Sequence, residues 1–231
     1  MSAVCAICAA AGRDHYTTMS ALVIVQARMG STRLPGKVLL ELGGHPVLWH
    51  VMERVKRAGY PYVLTIPDAA TDDALSTYAV SQGWPVNRGP HPDMVSAYRK
   101  AWAESGEQDI VVRVTADCPF VQPAAIHQYG RFCSWYASNA HPHRRVPKGL
   151  DVEVFSPKML AMVDRQATGD DRHHVTPWMR RYFDQGTSTD DGEFRVTLDT
   201  PEDYDRLKWI AARVSLEPPH PTTDELRALL V

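Results

Sequence analysis

The chain has 231 residues, 44% hydrophobic and 23% charged, with a formal net charge of −2. That size and balance suit one α/β domain with an embedded subdomain, and a weakly acidic chain has no global basic field with which to hold nucleic acid. No apolar run approaches the ~18 residues that would span a membrane, and the 4 cysteines do not make a disulfide scaffold.

Residues 1–18 are small and weakly apolar, without a basic leading region, and are expected to form a disordered extension of a cytoplasmic protein. Cys5 and Cys8 sit there as a single CxxC, with no second pair to complete a zinc site. From Met19 onward strand and helix signals alternate. Leu22–Ala27 is predicted as a strand, Val38-Leu39-Leu40 as a short extended piece, and Pro46 as the start of a helix carrying Val47, Val51, Arg54 and Val55 on one stripe. Tyr62–Ile66 reads as a strand, Thr71 as the cap of a helix running through Gln82, and Trp84-Pro85-Val86 as a third strand. Pro92 opens a helix, Asp109–Thr115 is a fourth strand, and Pro123 opens a helix to about Ser134. Beyond it the pattern is more mixed. Gly149–Phe155 alternates as a strand, Pro157–Gln166 and Asp171–Phe183 read as helices, and Gly186–Gly192 as a polar loop. Phe194–Leu198 returns as a strand, and Thr200-Pro201-Glu202-Asp203 caps a final helix. Four strand–helix units in the first 135 residues predict a Rossmann-like, mostly parallel sheet flanked by helices. Residues 19–231 form one domain on this reading, with an insertion at about 136–192 serving as a small acceptor and dimerisation subdomain.

The loop after the first strand carries the chemistry. Gln26-Ala27-Arg28-Met29-Gly30-Ser31-Thr32-Arg33-Leu34-Pro35-Gly36-Lys37 packs glycines, hydroxyls and three cations where an open α/β sheet binds nucleotides. Gly30 and Gly36 allow close backbone approach, and Arg28, Arg33 and Lys37 suit a polyphosphate. It is not a P-loop: five residues separate the glycines and Val38, not a hydroxyl, follows the lysine. As a mere solvated basic turn, it leaves three cations at the end of a buried strand unexplained.

Two carboxylates follow distant strands. Asp117 lies just past Val111–Thr115, where an oxygen ligand for Mg²⁺ would meet substrate phosphates. Asp199 ends Val196-Thr197-Leu198, although the helix cap after it needs only Thr200, Pro201 and Asp203. In Gly149–Phe155 the alternation puts Asp151 and Glu153 on one face, opposite Val152 and Val154. Adjacent His173 and His174 do not share a helix face, so no two-histidine metal site is expected there.

The loop motif resembles that of cytidylyltransferases of the spore-coat polysaccharide type, relatives of CMP-sialic acid and CMP-KDO synthetases. Similar segments follow at Asp117-Cys118-Pro119, Gly149–Val154, His174-Val175-Thr176-Pro177 and Val196–Asp199, so the resemblance runs from about Ala21 to about Val214. It implies a homodimeric enzyme that joins CTP to a small hydroxylated acidic acceptor, with Mg²⁺ on Asp117 and Asp199. Catalysis would rest on Arg28, Arg33, Lys37, Asp117 and Asp199. Nucleotide contacts would come from Gln26, Ala27, Arg28, Met29, Gly30, Ser31, Arg33, Lys37, Arg88, Gly89, Thr115 and Asp117. Asn139, Arg144, Arg145, Lys148, Asp151, Glu153 and His174 would hold the acceptor. The chain departs from the pattern at His173, where relatives carry Glu, and at Lys148, where they tend to be acidic. In Asn87-Arg88-Gly89-Pro90-His91-Pro92-Asp93, the base-reading segment, it keeps Arg-Gly but loses acidic residues common in relatives. A phosphonate acceptor is the main variant. A sugar-nucleotide-dependent glycosyltransferase would show an Asp-x-Asp pair, and Thr115-Ala116-Asp117 lacks the first Asp. A non-catalytic nucleotide-binding module would not need Lys37, Asp117 and Asp199 together.

Overall fold

The computed structural model describes residues 19–131, 135–141, 144, 146–183 and 195–229. The extension 1–18, Arg145, Phe194 and the loop Gly186–Gly192 lie outside them. Six strands form the main sheet: β1 (Ala21–Gln26), β4 (Tyr62–Pro67), β5 (Val86–Gly89), β6 (Ile110–Thr115), β7 (Tyr136–Ser138) and β8 (Glu153–Phe155), in the order β5-β4-β1-β6-β8-β7. The first four are parallel, with β1 paired to β4 from Val23↔Tyr62 and to β6 from Ala21↔Ile110. β8 runs antiparallel to β6, and β7 antiparallel to β8. Two short strands, β2 (Glu41–Leu42) and β3 (His45–Pro46), make a separate pair.

The central strands are apolar on both faces because both are covered. Val23 and Val25 pack under Leu48, Val51, Met52 and Val55 of α1 (Val47–Arg57). Leu22 and Ile24 face Val95 and Tyr98 of α3 (Met94–Glu104) and Met159 and Leu160 of α5 (Pro157–Gln166). The remaining helices are α2 (Asp73–Ser81), α4 (Pro123–Tyr129), α6 (Asp170–His174), α7 (Pro177–Phe183), α8 (Pro201–Ala211) and α9 (Thr223–Ala228). A third cluster joins Leu150, Val196 and Leu198 to Phe120 and to Leu207 and Ile210 of α8, and this carries the segment leading to Asp199. None of the described helices is long and apolar enough to cross a membrane.

Several local expectations are corrected. Val38-Leu39-Leu40 is not extended; Lys37–Leu39 is a single 3₁₀ turn, because Gly36 is left-handed (φ 69°) and turns Lys37 inward. The second helix begins at Asp73, after a 3₁₀ turn at Ala70–Asp72, and Thr71 does not cap it. Its hydroxyl donates instead to the Asp72 carboxylate. The expected helix over Asp171–Phe183 is two helices. Pro177 disfavours helical backbone at Thr176, and Val175 adopts φ 69° between them.

Gly149–Phe155 pairs only from Glu153. Before that the Asn139 side chain replaces the ladder, donating to the Leu150 carbonyl and accepting from the Val152 N–H, both at 2.8 Å. Among the described residues of Phe194–Leu198, Arg195 makes one isolated bridge, to Lys148. The Val196 N–H donates to the Lys148 carbonyl and the Leu198 N–H to the Asp117 carbonyl, so this stretch straddles two segments. β7 and α9 were not anticipated.

Gly149 lies at that crossing with φ 103°, and a Cβ there would stand 2.5 Å from the Thr197 nitrogen. Gly149→Ala is expected to destabilise by at least ~2 kcal/mol through strain and backbone collision. A melting temperature equal to wild type would show that the crossing can yield.

Candidate active site

The loop after β1 is shaped by its own backbone and by one acid from outside it. The Gly36 N–H donates to the Met29 carbonyl at 3.0 Å, closing the loop on itself. The Met29 N–H donates to Asp72 Oδ1 at 2.8 Å, and the Leu34 N–H to Ser31 Oγ at 3.3 Å. Asp72 is buried, and the Met29 N–H and the Thr71 hydroxyl satisfy its carboxylate. The 3₁₀ turn then aims Lys37 across the sheet edge.

Lys37 Nζ stands 2.6 Å from Asp117 Oδ2 and 2.9 Å from Asp199 Oδ1. Two carboxylates 82 residues apart therefore converge on one cation, Asp117 from the end of β6 and Asp199 from the segment before α8. Burial alone would lower the Lys37 pKa, but the two carboxylates raise it, so the ammonium stays charged. Burial pushes the Asp199 carboxyl up, and the hydrogen bond and charge of Lys37 more than reverse this, with Arg33 and Arg195 adding to the downward shift. Arg195 fixes the other Asp199 oxygen at 3.1 Å and Asp203 at 2.9 Å, tying the acid to the α8 cap.

These groups line a cavity of about 240 Å³. Of the residues singled out in the sequence, Gln26, Ala27, Arg28, Ser31, Arg33, Lys37, Thr115, Asp117, His174 and Asp199 meet there. Met29 and Gly30 belong to the loop behind it. Arg88 lies apart, held at the surface by Asp68 at 3.1 Å, Asp73 at 2.6 Å and the Ala69 carbonyl at 2.9 Å. Gly89 serves packing, because a Cβ there would be 2.2 Å from that of Ala97.

Most of the expected acceptor set is also elsewhere. Glu153 does not face an open pocket; it is 1% exposed. It accepts from Arg113 at 2.6 Å, Tyr136 at 2.7 Å, Thr176 at 3.1 Å and Arg180 at 2.8 and 2.9 Å. Burial opposes its ionisation, yet the Arg113 and Arg180 guanidiniums hold its pKa down to about 2. Asp151 pairs with Arg144 at 2.6 Å, Asn139 is spent on the backbone, and Lys148, whose backbone bridges to Arg195, does not line the cavity.

His174, expected at the acceptor, and His173, where the chain departs from its relatives' pattern, both stand in the cavity wall, and Arg113 is a wall residue that sequence reasoning passed over. His173 and His174 stack at 4.7 Å and both line it, against the expectation for adjacent helical positions, because α6 ends there. Arg28 Nη1 donates to His173 Nε2 at 2.6 Å, which requires a neutral ring. Burial and then the charge of Arg28 lower the His173 pKa accordingly. Arg113 lines the cavity from β6; its signal was an arginine inside an otherwise apolar strand.

The two carboxylates offer the hard oxygen donors that a divalent cation takes, and one bound between them would displace the Lys37 ammonium that bridges them. No group of three or more His, Cys, Asp or Glu that could hold a metal occurs among the described residues. The remaining ligands would be substrate oxygens and water, as Mg²⁺ prefers.

Lys37→Ala is expected to lower kcat/KM by at least about a hundredfold, the scale of lost charge stabilisation. The melting temperature should fall as well, because Asp117 and Asp199 lose the cation they share, so the kinetics are read well below the transition. A large fall in melting temperature with unchanged kinetics would make it a structural residue.

A parallel sheet whose strand ends present convergent acids and a cationic loop is the frame of an enzyme that handles nucleotides. Residues 22–207 match the sequence model of the family described as Cytidylyltransferase, and the chain belongs to that family of nucleotidyltransferases. It is 30% identical over 225 residues to the spore coat polysaccharide biosynthesis protein SpsF of Bacillus subtilis, covering 90% of this chain and 93% of that protein. It is 33% identical over 178 residues to 3-deoxy-manno-octulosonate cytidylyltransferase of Methylococcus capsulatus, covering 71% of this chain and 65% of that one. The solved cytidylyltransferase of Leptospira borgpetersenii superposes with a TM-score of 0.79 at 28% identity, over 91% of this chain and 93% of that one.

Proposed function

We propose that the protein joins CTP to an acidic, hydroxylated acceptor, a sugar acid or close analogue, in a Mg²⁺-dependent reaction that yields a CMP-linked product and pyrophosphate. The observation that carries this reading is the convergence of Asp117 and Asp199 on one cation, Lys37, in a loop that brings two further positive groups, Arg28 and Arg33, to the same cavity. The acceptor hydroxyl oxygen attacks the α-phosphorus. The bond from that phosphorus to the bridging oxygen breaks, pyrophosphate leaves, and the hydroxyl proton passes to solvent.

Asp117 and Asp199 would hold the metal ion, which neutralises triphosphate charge and orients it for in-line displacement. Arg28, Arg33 and Lys37 would stabilise charge on the α-phosphate and the leaving group. Gln26, Ser31 and Thr115 line the same cavity and offer hydrogen bonds to substrate. His174 is kept neutral by burial and by the charges of Arg113 and Arg28, and would donate or accept a hydrogen bond from the acceptor. The relatives' names, spore coat polysaccharide biosynthesis and 3-deoxy-manno-octulosonate transfer, support a product destined for a surface polysaccharide. The same reading makes the protein a cytoplasmic homodimer.

The test is pyrophosphate release with each of four nucleoside triphosphates, with and without Mg²⁺, across sugar acids, their carboxyl-reduced alcohols and hydroxyalkyl phosphonates. Release with CTP, an acidic acceptor and Mg²⁺ is expected. Release with another triphosphate in preference, or with no metal, would overturn the reading.

A further inference from the structure

Three of the four cations lining the cavity, Arg28, Arg33 and Lys37, come from the loop after β1. The fourth, Arg113, comes from β6, and its surroundings are different. It sits opposite Glu153 in the β6–β8 register, on the side of β1 away from β4 and β5. Its Nη1 donates to Glu153 at 2.6 Å and its Nη2 to Gln26 Oε1 at 3.3 Å. Gln26 in turn accepts from the Tyr98 hydroxyl at 3.3 Å. A guanidinium has five N–H donors, so these two bonds leave several unspent, and the buried Nε has no partner.

The charge balance points the same way. Glu153 is shared by two guanidiniums, Arg113 and Arg180. Of the carboxylates lining the cavity, Asp117 and Asp199 are both engaged by Lys37. Two guanidiniums thus share one carboxylate, which leaves one positive charge in excess over the Arg113–Glu153–Arg180 group at the wall of the cavity, where a ligand's anionic oxygens would be drawn.

Resting on the proposed transfer reaction, we infer that Arg113 is the residue that reads the acceptor's acid, its unspent Nη N–H donors receiving the anionic oxygens, with Glu153 as the positioning residue that fixes its plane. Arg suits that task through its planar fork. The triphosphate is served by the loop cations on the β1 side. Arg113 lines the same cavity from β6, near His174, and would meet the acceptor there. Of the cations expected for this role, Arg144 is engaged by Asp151 and Lys148 does not line the cavity.

The experiment uses the full chain with Mg²⁺ and CTP, and compares wild type with Arg113→Lys, which keeps the charge and one bond to Glu153 but loses the fork. The sugar-acid and phosphonate arms distinguish the two sources of an anionic oxygen pair. Arg113→Lys is expected to raise the acceptor KM at least tenfold while the KM for CTP stays within twofold. Wild type should prefer the acid to its carboxyl-reduced alcohol by at least tenfold, and Arg113→Gln should lose that preference. A merely structural role moves the melting temperature and not these ratios. An equal rise in both KM values, an unchanged acceptor KM, or a wild type indifferent to the acid overturns the assignment, and the last measurement stands even if a variant fails to fold. Wild type that releases no pyrophosphate with any acceptor overturns the transfer reading itself, and the assignment with it.

Discussion

Asp117→Asn and Asp199→Asn are each expected to lower kcat/KM by at least about a hundredfold while leaving a folded protein. The physical ground is the shared cation: both carboxylates lie within 3 Å of Lys37 Nζ, at 2.6 and 2.9 Å, and asparagine keeps the shape of each side chain but removes its charge. Loss of one fixed charge at a site of developing phosphate charge typically costs several kcal/mol of transition-state stabilisation. The two variants are not expected to be additive, because they act on one cation. Asp199→Asn should also lower the melting temperature more than Asp117→Asn does. Asp199 additionally anchors Arg195, which ties it to Asp203 and the α8 cap. Steady-state kinetics against Mg²⁺ concentration, with melting curves beside them, decide the matter. Near-normal metal-dependent turnover in either variant would remove that residue from the site.

The parallel half of the sheet was legible because its strands are buried on both faces, and such strands read as unbroken β-branched runs. The functional loop was legible because its charges had no structural excuse. Element ends were less so. The turn at Lys37–Leu39 depends on the left-handed conformation of Gly36, which a run of apolar residues after it does not reveal. The break at Val175-Thr176 has one signal in the sequence, Pro177 acting on Thr176, and it is outweighed by helical periodicity on both sides.

The acceptor side shows a deeper limit. Alternation identifies which residues share a face, and Val152 and Val154 do pack in the core as expected. It does not say whether the opposite face meets solvent or a buried cluster of charges. Glu153 finds Arg113 across 40 residues of sequence and Arg180 across 27, and local pattern carries no trace of either pairing. The cations placed in one short loop, Arg144 among them, looked like a binding surface for the same reason: Asp151, the partner of Arg144, was counted as a second ligand-binding group.

Glu153→Ala is expected to destabilise the fold by about 3–5 kcal/mol, the cost of leaving buried partners of an ion pair uncompensated. Arg113 and Arg180 would lose their carboxylate, and the Tyr136 and Thr176 hydroxyls their acceptor. Glu153→Gln should cost less, since the amide oxygen still accepts. Its comparison with wild type isolates the charge through pH. The folded carboxyl titrates near 2, against 4.5 for an ordinary glutamate, so the folded state binds the proton less readily than the unfolded chain. A depressed pKa contributes stability that is complete above 4.5 and is lost as pH falls toward 2. The shift corresponds to about 3 kcal/mol. Urea unfolding of wild type and Glu153→Gln at pH 7, 5 and 3 should therefore show a stability gap that is constant between 7 and 5 and narrows by pH 3. A gap that stays the same at all three would mean that Glu153 acts by shape and hydrogen bonding alone, with its charge contributing nothing to the fold.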